Sequence, residues 1–174
     1  MTMLAVARRA FEEFVQEGVE AIPRRFRVLI KNVAFLVDDE PTQKQRRDNK
    51  LLRSETLLGL YEGIPRTARG EDYGGLVLPD RITIFKRPIE EAARDSCAEN
   101  DAVQNARRSN NLRSWIIAMP DIVRRKYLDA VRKIVIETVW HEVAHHFGLP
   151  EPEVRRRERR RIRPRGLRPG VCRD

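Results

Sequence analysis

The chain has 174 residues and a formal net charge of +9, with 41% hydrophobic and 35% charged residues. This length suits one domain with short tails, and the apolar content suffices for one modest core. No apolar run approaches the roughly 20 residues of a membrane-spanning helix, and residues 1–15 lack the apolar core of a secretory signal. The two cysteines, Cys97 and Cys172, argue against a disulfide framework. We therefore expect a cytoplasmic protein without a membrane segment.

The positive charge is concentrated at the C-terminus. Residues 154–174 contain ten arginines and two acids, a net charge of +8, whereas the other 153 residues carry +1. The total charge alone would suggest nucleic-acid binding, but a nearly neutral remainder weakens that interpretation. We predict a domain over residues 1–153, followed by an Arg-rich, disordered tail over residues 154–174.

The apolar pattern of the first half predicts two helices and then three strands. Helical spacing predicts a first helix over residues 4–22, ended by Pro23, and a short second helix directly after it. Compact apolar or alternating runs predict strands at residues 33–37, 57–63 and 81–86. We expect the first of these strands to be buried.

The remaining segments predict connections and one long helix. Residues 42–55 are polar and predict an exposed loop, and residues 95–118 predict a flexible insertion. A short helix is expected at residues 89–94. The longest helix is predicted from Ile122 to Phe147, because apolar residues recur along one of its faces. These are Tyr127, Leu128, Val131, Ile134, Val135 and Thr138.

All three histidines lie within Thr138–Glu151, at the end of the longest predicted helix. His141 and His145 are four residues apart, so they share one helix face and can bind one metal ion. Glu142 projects about 100° around the helix from His141, toward the side where a water molecule on that metal could lie. This HExxH spacing is typical of zinc hydrolases in which the carboxylate is the general base. His146 lies off this face, and we expect it to be partly exposed.

A catalytic zinc site needs a third protein ligand and one open position. The segment continues as HExxHxxGxxE, in which Gly148 follows His145 by three residues and Glu151 follows by three more. Glycine permits a left-handed turn that ends the helix and returns the chain, so that Glu151 could offer an oxygen ligand. In the alternative interpretation His141 and His145 are hydrogen-bonded core residues, which would bring several polar groups beside the apolar helix face.

At this point the sequence resembles a known family, the small bacterial zincin-like metallopeptidases or minimal zincins. Besides HEVAHHFG, three blocks resemble the ordered segments of that family: FRVLIKNVAFLVDDEP, LLGLYEGIPRTARG and YGGLVLPDRITIFKRPIE. Together these blocks cover most of residues 10–153. The resemblance implies an α+β minimal zincin-like domain, in which a small mixed β-sheet packs on the HExxH active-site helix and further helices lie at the N-terminus.

The resemblance also implies a zinc site of the HExxHxxGxxD type. By this resemblance His141 and His145 would be metal ligands, and Glu142 would be the general base and acid. Glu151 stands where the family pattern has aspartate and is one methylene longer. Glu151 is therefore the first candidate for the third ligand, and Glu153 is the alternative.

These observations predict a zinc-dependent metallopeptidase that hydrolyses a peptide or protein substrate with a zinc-activated water. We expect an extended substrate to pair with a sheet edge at residues 57–62. Tyr61 or Tyr73 could help to stabilise the oxyanion, although tyrosines in such segments more often only pack. Two alternatives stay open: nucleic-acid or acidic-partner binding through residues 155–168, and a catalytically weak or inactive zincin scaffold.

Overall fold

The computed structural model describes residues 6–69, 78–97 and 121–162. Its elements are α1 (Arg8–Glu20), α2 (Arg24–Arg27), β1 (Val33–Asp38), α3 (Gln43–Asp48), β2 (Gly59–Glu62), a 3₁₀ turn (Arg66–Ala68), β3 (Asp80–Phe85), α4 (Lys86–Cys97), α5 (Asp121–His146) and α6 (Glu151–Ile162). The helices and strands predicted from apolar spacing are present, with boundaries shifted by a few residues. Within these described ranges, no helix is both long and apolar enough to cross a membrane.

β3 is the central strand of a three-stranded mixed sheet with the order β1-β3-β2. β1 is parallel to β3, whereas β2 is antiparallel to it and pairs Gly59 with Ile84. β2 is therefore at an edge of this sheet, as predicted for residues 57–62. β1 lies at the other edge, and the prediction that it is buried is wrong: Val37 is buried, but Leu36 is exposed.

α5 is the helix on which the other layers pack. Its buried apolar side chains follow the predicted apolar face: Tyr127, Val131, Val135, Val139 and Val143. Burial of each such side chain contributes about 1.5–3 kcal/mol. α1 and α4 pack on α5, as do β2 and β3. Gly18 permits a close approach of α1, because a Cβ at that position would lie 3.1 Å from Val139. The expected α+β arrangement of N-terminal helices and a small mixed sheet around the HExxH helix is confirmed.

One segment that was predicted to be a loop contains a helix. The Thr42 hydroxyl accepts a hydrogen bond from the backbone N–H of Gln45. In return, the side-chain oxygen of Gln45 accepts one from the backbone N–H of Thr42. This reciprocal capping box begins α3. The prediction of a loop over residues 42–55 is wrong for α3 because this helix buries none of its side chains, so its sequence has no apolar periodicity.

The Arg-rich segment begins inside a helix. α6 spans Glu151–Ile162, so the prediction of a disordered tail from residue 154 is wrong for residues 154–162. Val154 is only 2% exposed, and this burial ties the first turn of α6 to the rest of the domain. The predicted flexible insertion is wrong at its first residues, Asp95–Cys97, which belong to α4. Its remainder, residues 98–118, lies outside the described residues.

Candidate metal centre

The HExxH segment forms the last turns of α5. His141 and His145 lie one turn apart on the same helix face, with their ring centroids 4.9 Å apart. Their side chains are 24% and 27% exposed, so both rings are shielded but reachable from solvent. The predicted shared face of the two imidazoles is confirmed.

Gly148 ends α5 and redirects the chain. Its φ of +80° lies in the left-handed region, which non-glycine residues rarely adopt. Its amide donates a hydrogen bond of 2.8 Å to the carbonyl oxygen of His145. A Cβ on Gly148 would overlap with Oγ1 of Thr67 in the 3₁₀ turn. Glycine is therefore required here by both conformation and space, and the turn leads directly to Glu151 at the start of α6.

Glu151 brings a carboxylate to the two histidines. Its Oε2 lies 3.0 Å from Nε2 of His141 and 3.3 Å from Nε2 of His145. One ligand atom of each of the three residues lies within 4.8 Å of the others. Glu153, the alternative ligand, forms ion pairs with two arginines of α6 and is not part of this cluster.

The hydrogen bonding of the cluster fits a metal ion. Nδ1 of His145 lies 3.0 Å from the carbonyl oxygen of Leu149. A carbonyl oxygen only accepts, so Nδ1 donates, and in the neutral form of the ring Nε2 then carries the lone pair that a metal ligand needs. Nε2 of His145 faces Oε2 of Glu151 at 3.3 Å, so a cation bound at this position would contact both atoms. Two imidazoles and a carboxylate are a ligand set that zinc accepts in catalytic sites.

The charge state of Glu151 favours the same conclusion. Burial alone would raise the pKa of this carboxyl group. The hydrogen bond from Arg155, together with the charge of Arg155 and of the imidazoles of His141 and His145 when they are protonated, outweighs burial and lowers the pKa. A metal ligand must be deprotonated, so Glu151 is in the form that ligation needs.

Glu142 lies between the histidines and the edge strand β2. Its side chain is buried, and the residue lines a cleft together with His141 and Gly59. A Cβ on Gly59 would lie 2.9 Å from Oε1 of Glu142 and 2.7 Å from Cγ2 of Thr138. Only glycine lets the strand approach the carboxylate this closely. Apolar spacing does not single out Gly59, although a glycine inside a strand can signal such a close approach.

A buried polar network joins α5 to the sheet next to this cluster. Asp80 is 3% exposed, and its carboxylate accepts hydrogen bonds from the Tyr61 hydroxyl at 2.9 Å, from His146 Nδ1 at 3.1 Å and from Arg69. Burial, and then the hydrogen bond to Asp80, raises the pKa of Tyr61. The hydroxyl of Tyr61 is thus hydrogen-bonded to Asp80, which is not a member of the group formed by His141, His145 and Glu151. Tyr73, the other tyrosine considered for the oxyanion, lies outside the described residues.

His146 is fully buried, so the prediction of partial exposure is wrong. It lies one residue beyond His145, which turns its ring away from the ligand face and toward the sheet. The ring contacts Tyr61 and Phe147 edge-on, at centroid distances of 5.8 and 5.3 Å. Burial lowers the pKa of His146 against the opposing effect of its hydrogen bond to Asp80. His146 is therefore a structural residue of the polar network.

Comparison with known families gives a match in the part of the chain that contains the sheet. Residues 30–106 match the model of the family described as Zincin-like metallopeptidase. This match supports a zincin-like metallopeptidase family for the chain. The matched segment contains the three strands of the sheet and α4, and it ends before the HExxH helix. The group of His141, His145 and Glu151, which could hold a metal ion, is thus a second, separate observation in favour of the family. A comparison with curated proteins gave no match.

The start of the basic segment is partly neutralised. Arg155 forms an ion pair with Glu151, and Arg156 and Arg157 form ion pairs with Glu153. These three arginines begin the segment 155–168 that was considered for nucleic-acid or acidic-partner binding. That hypothesis stays a prediction, because nothing in the structure or the comparisons tests it.

Proposed function

We propose that the protein is a zinc-dependent metallopeptidase whose metal ligands are His141, His145 and Glu151. The convergence of two imidazoles and one carboxylate within 4.8 Å carries the proposal. Buried Glu142 lies immediately beside this cluster. Three protein ligands leave a position open for substrate, and this feature distinguishes catalytic zinc sites from four-ligand structural ones.

Zinc at this cluster would supply Lewis-acid chemistry, because it polarises a scissile carbonyl and lowers the pKa of water to about 7. Glu142 is the group that moves the protons. Its carboxylate takes a proton from the attacking water as the new C–O bond forms, and it gives that proton to the amine nitrogen as the C–N bond breaks. Gly59 helps to orient Glu142, because the backbone of β2 passes close to this carboxylate.

β2 offers a binding edge for an extended substrate. It stands at the end of the sheet order, and no other strand of the described residues pairs with its outer edge. A peptide that adds to this edge as a further strand would pass the carboxylate of Glu142 at Gly59. Main-chain hydrogen bonds along the strand would supply affinity independently of the peptide's sequence. Selectivity would then depend on the side chains that line the cleft.

The proposal predicts zinc-dependent peptide hydrolysis. We expect the zinc-loaded full chain to cleave members of a randomised peptide mixture, with the products identified by mass spectrometry. Removal of zinc with a chelator should reduce cleavage to the uncatalysed background, and zinc added back should restore it. A His145→Ala variant treated in the same way serves as the control for contaminating peptidases.

Three results would contradict the proposal. Cleavage that survives chelation, or that the His145→Ala preparation retains, would come from another source. A preparation that is fully loaded with zinc but cleaves no peptide in the mixture would favour the inactive-scaffold alternative.

A further inference from the structure

The two oxygens of the Glu151 carboxylate have different partners. Oε2 faces the imidazoles of His141 and His145, at 3.0 and 3.3 Å from their Nε2 atoms. Oε1 accepts a hydrogen bond from Nε of Arg155 at 2.6 Å. Arg155 lies one turn further along α6, so the pair has the i,i+4 spacing that brings side chains together on a helix.

A partner that fixes the side-chain conformation matters more for Glu151 than for a shorter ligand. Its side chain is 42% exposed and has one methylene more than the aspartate of the family pattern. A glutamate side chain loses up to about 1.5–2 kcal/mol of rotamer entropy when it is fixed in one conformation. The ion pair with Arg155 restricts the Glu151 side chain before metal binds. Less rotamer entropy is therefore lost when metal binds.

We propose that Arg155 is a positioning residue, which holds Glu151 so that Oε2 alone is presented to the metal. The inference rests on the proposed metal centre and assigns Arg155 no contact with the metal. Because Arg155 is positive, its charge by itself would weaken the binding of a nearby cation. Removal of Arg155 should therefore strengthen metal binding if charge dominates and weaken it if positioning dominates, so the sign of the change separates the two roles.

α6 contains a closely matched control. Arg157 forms the same i,i+4 type of pair, to Glu153 at 2.9 Å, and its side chain is 61% exposed, compared with 65% for Arg155. Arg155→Ala and Arg157→Ala remove the same charge and the same kind of ion pair from the same helix. They differ in that only Arg155 is paired with a proposed metal ligand, and in that Glu153 keeps a second partner, Arg156, when Arg157 is removed.

The test is the zinc dissociation constant of the full chain, measured by competition with a chromophoric chelator. We expect Arg155→Ala to raise this constant by about 10- to 100-fold, the usual effect of losing a partner that orients a metal ligand. Arg157→Ala should leave it near the wild-type value, and the thermal unfolding midpoints of the two metal-free variants should be similar. Arg155→Gln, which retains a donor without the charge, should recover part of the affinity.

A double-mutant cycle tests whether Arg155 acts through Glu151. In a Glu151→Ala background, Arg155→Ala should cause no further loss of zinc affinity. The inference is overturned if wild type binds zinc while Arg155→Ala binds it equally well or more tightly, if Arg157→Ala weakens binding as much, or if the two losses add in the double variant. Failure of wild type itself to bind zinc would overturn the proposed function and this inference with it.

Discussion

Glu142→Gln is expected to retain zinc and to lower peptide hydrolysis by roughly 10²–10⁴-fold, the range typical of a lost general base. Glutamine has nearly the same shape, so the packing of this side chain against Gly59 should persist. An amide cannot take the proton from water. The measurement is kcat/KM on a cleaved peptide, together with the zinc content of the same preparation.

The control for this variant is Glu12→Gln, which makes the same change at an exposed position of α1 that pairs with Arg8. It should leave both activity and zinc content unchanged. Unchanged hydrolysis in Glu142→Gln would exclude Glu142 as the base. Loss of zinc along with activity would mean that Glu142 supports the metal site instead of moving protons.

Asp80→Ala is expected to lower the free energy of unfolding by about 3–5 kcal/mol, the usual effect of removing one partner from a buried ion pair. The substitution removes the carboxylate of Asp80 from its ion pair with Arg69, whose side chain is only 14% exposed. It also removes the acceptor for the Tyr61 hydroxyl and for Nδ1 of His146. Equilibrium unfolding in urea measures the change.

Asp38→Ala is the matched control, because Asp38 is also a strand residue but is exposed at the end of β1. It should change the free energy of unfolding by no more than about 0.5 kcal/mol. Asp80→Asn retains an acceptor oxygen without the charge, and its effect should be intermediate. A loss below about 1 kcal/mol in Asp80→Ala would contradict a stabilising role for this network.

The central features of the candidate site could be predicted from the sequence because they are local. The positions of His141 and His145 follow from helix periodicity, which fixes which residues share a face. The conformation of Gly148 follows from the left-handed turn that ends helices. Glu151 could be predicted to approach the histidines because that turn returns the chain over only a few residues.

The features that sequence reasoning missed depend on distant contacts. His146 is buried because Asp80, which lies 66 residues earlier, accepts its hydrogen bond. The importance of Gly59 depends on how closely β2 passes Glu142. The spacing of apolar residues along the chain does not predict the distance between a strand and a helix. The composition of α6 is dominated by arginines and therefore predicts a tail. In the structure, burial of Val154 and the pairing of Arg155 with Glu151 join the beginning of α6 to the rest of the protein.

The missed helix α3 has a different cause. Its start was readable, because Thr42 followed three residues later by Gln45 is a capping-box signature. A loop was predicted because the segment has no apolar periodicity, and this helix has no buried face to produce one. Apolar spacing therefore predicts helices that pack, whereas capping residues are needed to recognise helices that lie on the surface.

The most direct test of the metal centre is the zinc content of the purified full chain by elemental analysis, after zinc is supplied and excess removed. The account predicts about one zinc per chain in wild type and none in a His141→Ala, His145→Ala double variant, because a site that loses two of three ligands cannot hold the ion. Glu153→Ala should retain the wild-type content. Absence of zinc in wild type, or equal zinc in the double variant, would contradict a metal centre at these residues.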